Sequence, residues 1–356
     1  MRADCCREKR PRIDTEGAER RARGHKGPGE EVQELTKNKK MIGAVDIGGT
    51  KIAAGIVDRA GKVLAKLETP TEAARAYPDG LRHIVGMLRE VAQKTNTELS
   101  GMGIGSTGWV YPFTGEFGDV DFLPGWKGCN PVNDLAREFG VRVALENDGD
   151  AAALGEAAWG AGKGKSRLIY VTVGTGIGGG IILDDQLYRG ADKAHPEVGH
   201  HVIDASGPQC TCGFRGCWEA LATGPAMAAW FNTRAEAVDP RAKSLTAKEI
   251  FRWAEQGHAL AREAVAREAY YLGLGLANLI NLFVPDRIVL GGSIMKSMRL
   301  EDIRKVIAQG CRFVPFEQTE LALASLGEDA NLIGAAQVWH HRFGQSLTQP
   351  PAKGAA

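Results

Sequence analysis

The chain has 356 residues, 44% of them apolar and 24% charged, which is room for two domains with cores of their own in an ordinary globular protein. A formal net charge of +1 offers no electrostatic ground for a nucleic-acid or membrane partner, and no apolar run approaches the ~20 residues that span a bilayer. The charged opening, MRADCCREKRPRID, lacks the apolar segment of an export signal, so the expected compartment is the cytoplasm.

Residues 1–40 carry only Ile13, Val32 and Leu35 as branched aliphatics and read as a disordered tail. From Met41 the texture changes. MIGAVDIGG, TKIAAGIVD and GKVLAKLETP predict three strands joined by Gly-containing turns. A helix is expected over 78–93, with Leu81, Ile84, Val85, Leu88 and Val91 on one face. A strand at MGIGSTG, a loop holding FLPGW, a short helix over 130–139 and the strand VRVALEND follow. The opening pattern then returns as RLIYVTVGTG, IGGGIILDD and QLYRG, a coarse internal repeat. The last third predicts helices over 246–254 and 258–282, the strand DRIVLGGS, another helix, and a terminal helix over 330–341. This order supports an α/β protein of two lobes. The expected division is an N-terminal lobe over 41–146 and a C-terminal lobe over 147–327. Residues 328–343 are expected to pack back on the first lobe.

Asp46-Ile47-Gly48-Gly49-Thr50-Lys51 stands between two predicted strands. Adjacent glycines let backbone N–H groups approach an anion, Thr50 and Lys51 add donors, and Asp46 can hold Mg²⁺ through water or orient Lys51. Alone, the motif is equally a plain hairpin. A second loop, Gly174-Thr175-Gly176-Ile177-Gly178-Gly179-Gly180, formally contains the dinucleotide fingerprint at Gly174, Gly176 and Gly179. That fingerprint must open a helix, and here the loop runs into a strand. Two Gly/Thr hairpins facing one polyphosphate fit better. Gly291-Gly292 ends a predicted strand and could admit an adenosine ring.

His200, Cys210, Cys212 and Cys217 offer one imidazole and three thiols, a full tetrahedral set for structural Zn²⁺. Free cysteines are the bland alternative. A four-ligand site leaves no position for a reacting oxygen, so the metal would brace its surroundings. Asn147-Asp148 closes a strand at the mouth between lobes, where α/β proteins carry reactive groups. Alone, the pair is as well a helix cap.

Taken together these residues resemble the ROK family of bacterial glucokinases, related sugar kinases and sugar-responsive repressors, over roughly residues 41–343. The most specific stretch is Glu197-Val198-Gly199-His200 followed by Gly207-Pro208-x-Cys210-x-Cys212-Gly213-x-x-Gly216-Cys217-x-Glu219. Asn331-Leu332-Ile333-Gly334-Ala335-Ala336 also looks like the family's closing helix. The resemblance implies an actin-like (ribonuclease H-like) fold and frequent homodimers. It also implies transfer of the γ-phosphate of ATP, with Mg²⁺, to a hexose hydroxyl. On that pattern Asp148 is the general base, and Asn147, Glu197, His200 and Glu219 hold the sugar. Glucose, phosphorylated at its 6-hydroxyl, is the default substrate. N-acetylmannosamine, N-acetylglucosamine, fructose and allose are the alternatives.

Three departures bear on specificity. Ser106-Thr107 stands where the family usually has Pro-Gly, Phe122 where it has Asn, and Asn147-Asp148-Gly149-Asp150 where it has Asn-Asp-Ala-Asn. A repressor of the family would need a helix-turn-helix domain of some 60–80 residues ahead of the kinase-like lobes, and the segment before Met41 is too short for one.

Overall fold

The computed structural model describes residues 39–72, 74–120, 123–235 and 244–344. The predicted tail falls almost wholly outside these residues, and so does Phe122. The first strand opens two residues earlier than its apolar run suggests. In β1 (Lys39–Ile47), Lys39 to Met41 already pair with Thr97 to Leu99, ahead of a bulge at Met41/Ile42.

Two five-stranded sheets repeat one plan. In the first, the antiparallel meander of β1, β2 (Lys51–Val57) and β3 (Val63–Pro70) is extended in parallel by β4 (Thr97–Ser106) and β7 (Val143–Asn147), in the order β3-β2-β1-β4-β7. In the second, β8 (Leu168–Val173), β9 (Ile177–Leu183) and the two-residue β10 (Gln186–Leu187) make the meander. The parallel strands β11 (Arg287–Gly291) and β12 (Glu320–Leu323) complete it, in the order β10-β9-β8-β11-β12. A small hairpin, β5 (Val110–Tyr111) with β6 (Glu116–Phe117), stands after β4. The internal repeat legible in the sequence is thus a repeat of sheet topology.

Helices α1 (Tyr77–Lys94) and α2 (Pro131–Phe139) cover the first sheet; Ile84, Leu88, Met102, Phe117 and Trp126 meet in its core. The second sheet packs against α4 (Trp218–Leu221), α5 (Gly224–Ala235), α6 (Ala247–Glu255), α7 (Ala259–Phe283) and α8 (Leu300–Gly310). The start of α6 was readable, because Thr246 and Glu249 form a capping box.

Between the sheets run α3 (Asp148–Trp159) and α9 (Ala330–Phe343). Their side chains are too small to hold the backbones apart. A Cβ on Gly334 would lie 2.3 Å from the Ala151 carbonyl oxygen, and one on Gly103 of β4 would lie 1.7 Å from that of Ala335. Helix α9 therefore packs on β1, β4 and β7 as well as on α3, and α3 also meets β8 and β9. Among the described residues no helix is long and apolar enough to cross a membrane.

Gly334→Val should cost about 2 kcal/mol or more of unfolding free energy, the range for overpacking a close contact. Chemical denaturation measures it, and a variant as stable as the wild type would contradict the α3–α9 crossing.

Candidate active site

Strand β7 is buried along its whole length and delivers Asn147 and Asp148 to the end of the first sheet. The Asn147 side chain accepts the Gly149 N–H at 2.8 Å, capping α3, while its Nδ2 donates to the Gly108 carbonyl at 3.3 Å. Both readings of the Asn-Asp pair are therefore realised at once: Asn147 caps a helix and Asp148 is its first residue. Asp148 Oδ1 also accepts from Gly149 N, at 2.9 Å. Burial pushes the Asp148 carboxyl above its ordinary value, opposed by that Gly149 bond, by the charge of His195 and by the Thr107 hydroxyl.

Asp148 opens into a polar cavity of 330 Å³, lined also by Thr107, Asn147, His195, Glu197 and Glu219. A second cavity, of 620 Å³ and more apolar, adjoins it, and Gly174 and Thr175 of the β8–β9 turn line both. Its other walls come from Gly224 to Ala228 at the start of α5, Thr246 to Phe251 of α6, and Ser293 to Ser297 after β11. The turn itself is closed by Gly174 N–H donating to Gly176 O at 3.0 Å.

The first glycine loop is placed differently from expectation. Asp46, Gly48, Gly49, Thr50 and Lys51 line neither cavity. Lys51 Nζ lies 2.9 Å from Glu68 Oε1 on the neighbouring β3, an exposed pair. The turn is pinned by Thr71, which donates from Oγ1 to Gly48 O at 2.6 Å, and leaves Gly49 and Thr50 exposed. Gly291 and Gly292 also stand behind the wall instead of in it. Added Cβ atoms there would meet the Tyr170 hydroxyl at 2.5 Å and the Val173 carbonyl at 2.2 Å, so these glycines serve the packing of β11 on β8. The cavity is lined by the residues that follow them.

His200, Cys210, Cys212 and Cys217 converge, with ligand atoms all within 4.8 Å of one another. His200 Nδ1 lies 3.5 Å from Cys210 Sγ, and Cys212 Sγ lies 3.4 Å from Cys217 Sγ. The other imidazole nitrogen, Nε2, is 3.9 Å from Glu219 Oε1. His200 thus stands behind Glu219 and does not itself line the polar cavity. Glu219 is the link between cluster and cleft: its Oε2 accepts the Ile177 N–H at 2.9 Å, and a Cβ on Gly176 would sit 2.6 Å from the same oxygen.

A sequence profile of the ROK family matches residues 42–342. The chain is 35% identical over 312 residues to a glucokinase of Streptomyces coelicolor, covering 83% of this chain and 96% of that protein. The chain belongs to the ROK family. A solved ROK glucokinase of Streptomyces griseus, in complex with glucose and AMPPNP, superposes with a TM-score of 0.71 at 30% identity, over 84% of this chain and 99% of that one. The fold is therefore the actin-like ATPase fold with two domains. A xylose repressor of Bacillus subtilis is also similar, 32% identical over 225 residues, covering 63% of this chain and 57% of that protein.

Two of the departures from the usual ROK pattern now have physical reasons. Thr107 lines the polar cavity beside Asp148 and acts to lower its carboxyl pKa, while Ser106 is fully buried opposite Asn147 in the β4–β7 ladder. Gly149 lets α3 approach β9 closely: a Cβ would lie 2.6 Å from the Gly179 carbonyl oxygen. Asp150 is buried, with Oδ1 3.1 Å from His195 Nδ1. His195 and the lysines of the apolar cavity, Lys248 and Lys296, had no signal in the sequence, because they reach the clefts from loops and helix ends far apart along the chain.

Asp46 ends β1 nearly buried, with Oδ1 unpartnered by hydrogen bond. Burial first, and then the charge of Asp148, push its carboxyl from an ordinary 3.8 up to about 7. The folded protein therefore holds this proton more tightly than the unfolded chain, and Asp46 costs stability progressively as pH rises through that window. The melting temperature of Asp46→Asn relative to wild type should accordingly improve from pH 5 to pH 8. A difference independent of pH would contradict the burial of this charge.

Proposed function

We propose that this ROK protein is a sugar kinase that transfers the γ-phosphoryl group of ATP to a hexose, with the 6-hydroxyl of glucose as the first candidate. The observation that carries the reading is the meeting of two unlike cavities at Gly174-Thr175, with Asp148 on the floor of the polar one. A polyol suits a cavity walled by Asn147, Glu197 and Glu219, whose oxygens and amide can each pair with vicinal hydroxyls. An adenosine suits the larger, more apolar one, which brings its phosphates to the β8–β9 turn. The likeness to glucokinases supports both assignments.

Asp148 accepts the hydroxyl proton as the oxygen attacks phosphorus, and Thr107 and the Gly149 N–H fix its orientation. Gly174 and Gly176 let the backbone N–H groups of the turn approach the polyphosphate, and the missing side chain at Gly176 also leaves room for Glu219. Mg²⁺ would be held at the phosphates, with Asp46 as its protein partner through water, and would supply charge neutralisation there. Lobes over 41–146 and 147–327, with the terminal helix returned to the first, put the boundary at the β7–α3 junction that carries Asp148. The donor set of His200, Cys210, Cys212 and Cys217 fits Zn²⁺ in number, type and convergence. Its service is to staple the loop that ends in Glu219. His200 would ligate through Nδ1 and leave Nε2 toward Glu219 and the sugar. A cytoplasmic homodimer is the assembly this family membership favours.

The similarity to xylose repressors favours a second reading, a sugar-binding repressor. A coupled ATP-consumption assay over hexoses and N-acetylhexosamines, run beside a DNA-retention screen, separates the two. Turnover on a hexose without DNA retention supports the kinase, and retention without turnover the repressor. Asp148→Asn should keep the fold and sugar binding while cutting turnover by a factor of order 10² to 10⁴. Turnover within tenfold of wild type would sink the base assignment. Cys212→Ala should lose bound zinc by elemental analysis and lose glucose binding by calorimetry, while AMPPNP still binds. Normal glucose binding by a metal-free protein would remove the metal from the account.

A further inference from the structure

The polar cavity holds an imidazole that the kinase reading does not use. His195 lines it beside Asp148 and Glu197, with its side chain mostly withdrawn from solvent. Its Nδ1 is buried and lies at ion-pair distance, 3.1 Å, from Asp150 Oδ1; neither atom has another hydrogen-bond partner, and the Asp150 side chain is all but completely buried. An imidazole flanked on one nitrogen by a carboxylate keeps its proton there and presents the other nitrogen outward. That nitrogen, Nε2, is the one left for the cavity.

The chain makes a costly loop to deliver this ring. Asp192 and Lys193 are consecutive non-glycine residues at positive φ, +51° and +63°, a conformation that persists only where the surroundings enforce it. The loop is closed behind them by Gly190 N–H donating to Ala194 O at 2.8 Å. Asp150 is equally constrained from its own side. It lies in the first turn of α3, and Gly149 before it is pressed onto Gly179 of β9. Asp150 cannot swing away without moving α3 off β9.

We propose that His195 is a sugar-contacting residue, hydrogen-bonded through Nε2 to a substrate hydroxyl, and that Asp150 is the positioning residue that fixes its tautomer and direction. The proposal rests on the polar cavity being the sugar site. Burial alone would disfavour the imidazolium, yet Asp150, Glu197 and Asp148 together raise His195 above its ordinary value. Nε2 can therefore meet a hydroxyl as a donor when the ring is protonated and as an acceptor when it is neutral, a versatility the acceptor-only Glu197 and Glu219 lack.

The test is D-glucose binding by calorimetry, or binding of whichever hexose the wild type binds, with AMPPNP binding measured on the same samples. Using binding keeps this proposal separable from the kinase reading: a wild type that binds sugar without turning it over would fail the reading and leave His195 testable. His195→Ala should weaken sugar binding tenfold or more and leave AMPPNP within twofold. His195→Gln, which can place an amide near Nε2, should recover part of the loss. Asp150→Asn should weaken sugar binding about threefold to tenfold, and adding it to His195→Ala should do no further harm, because Asp150 acts only through the ring. Sugar binding unchanged in His195→Ala, or losses that add in the double variant, would overturn the proposal. If His195→Ala does not fold, His195→Gln and its double variant with Asp150→Asn give the same comparison: additive losses overturn the pairing and non-additive losses support it.

Discussion

Everything at the cleft depends on how closely α3 can be pressed between the two sheets. Its first turn lies against β9 at Gly149, with Gly180 of β9 offering its own missing Cβ to Ala153, and its middle lies against α9 where Gly334 meets Ala151. No side chain larger than a methyl separates these backbones at the contact points. Dense packing of this kind has little slack, so a displacement on either side is transmitted and not absorbed. Asp148 is the first residue of that helix. Its position is therefore set by both sheets and by the C-terminal helix at once, although it is covalently attached to only one strand.

Charge reinforces the same junction. Glu146, buried one residue before Asn147, is gripped by Arg189 from the loop after β10 and by Arg342 at the end of α9, the latter at 2.9 Å. Two distant parts of the chain thus converge on the strand that carries the candidate base. Removing one partner of such a buried group is far more damaging than an exposed pair would suggest, because the remaining charge stays desolvated. On the opposite wall Glu219 performs a comparable tie, joining the Cys/His loop to the β8–β9 turn through the Ile177 N–H.

Much of this was legible in the sequence, and the limits have physical causes. The repeated meander was visible because strands beside Gly turns carry a strong local signal, and the metal set was visible because its four ligands lie within eighteen residues of one another. Helix α3 was not, since it is buried on nearly every face from Gly149 to Ala157 and so carries no amphipathic period. Strand β12 was missed because four residues, none of them buried, leave no pattern. Lys51 and the Gly291-Gly292 pair have residue types that suit phosphate and nucleotide contact; in the fold Lys51 also forms an exposed pair with Glu68, and Gly291 packs on Tyr170. His195 illustrates the remaining gap: its partner Asp150 lies on another element, and only the folded chain brings the two together.

The central claim is that the two cavities meeting at Gly174-Thr175 divide the substrates, hydroxyls in the polar one and nucleotide in the apolar one. Ala228 of α5 lines only the second. Titration of Ala228→Trp with AMPPNP and, separately, with D-glucose tests the division directly, since the indole fills the apolar cavity without touching the polar one. The account predicts that AMPPNP binding is lost and glucose binding is kept. Loss of glucose binding with AMPPNP retained would contradict it.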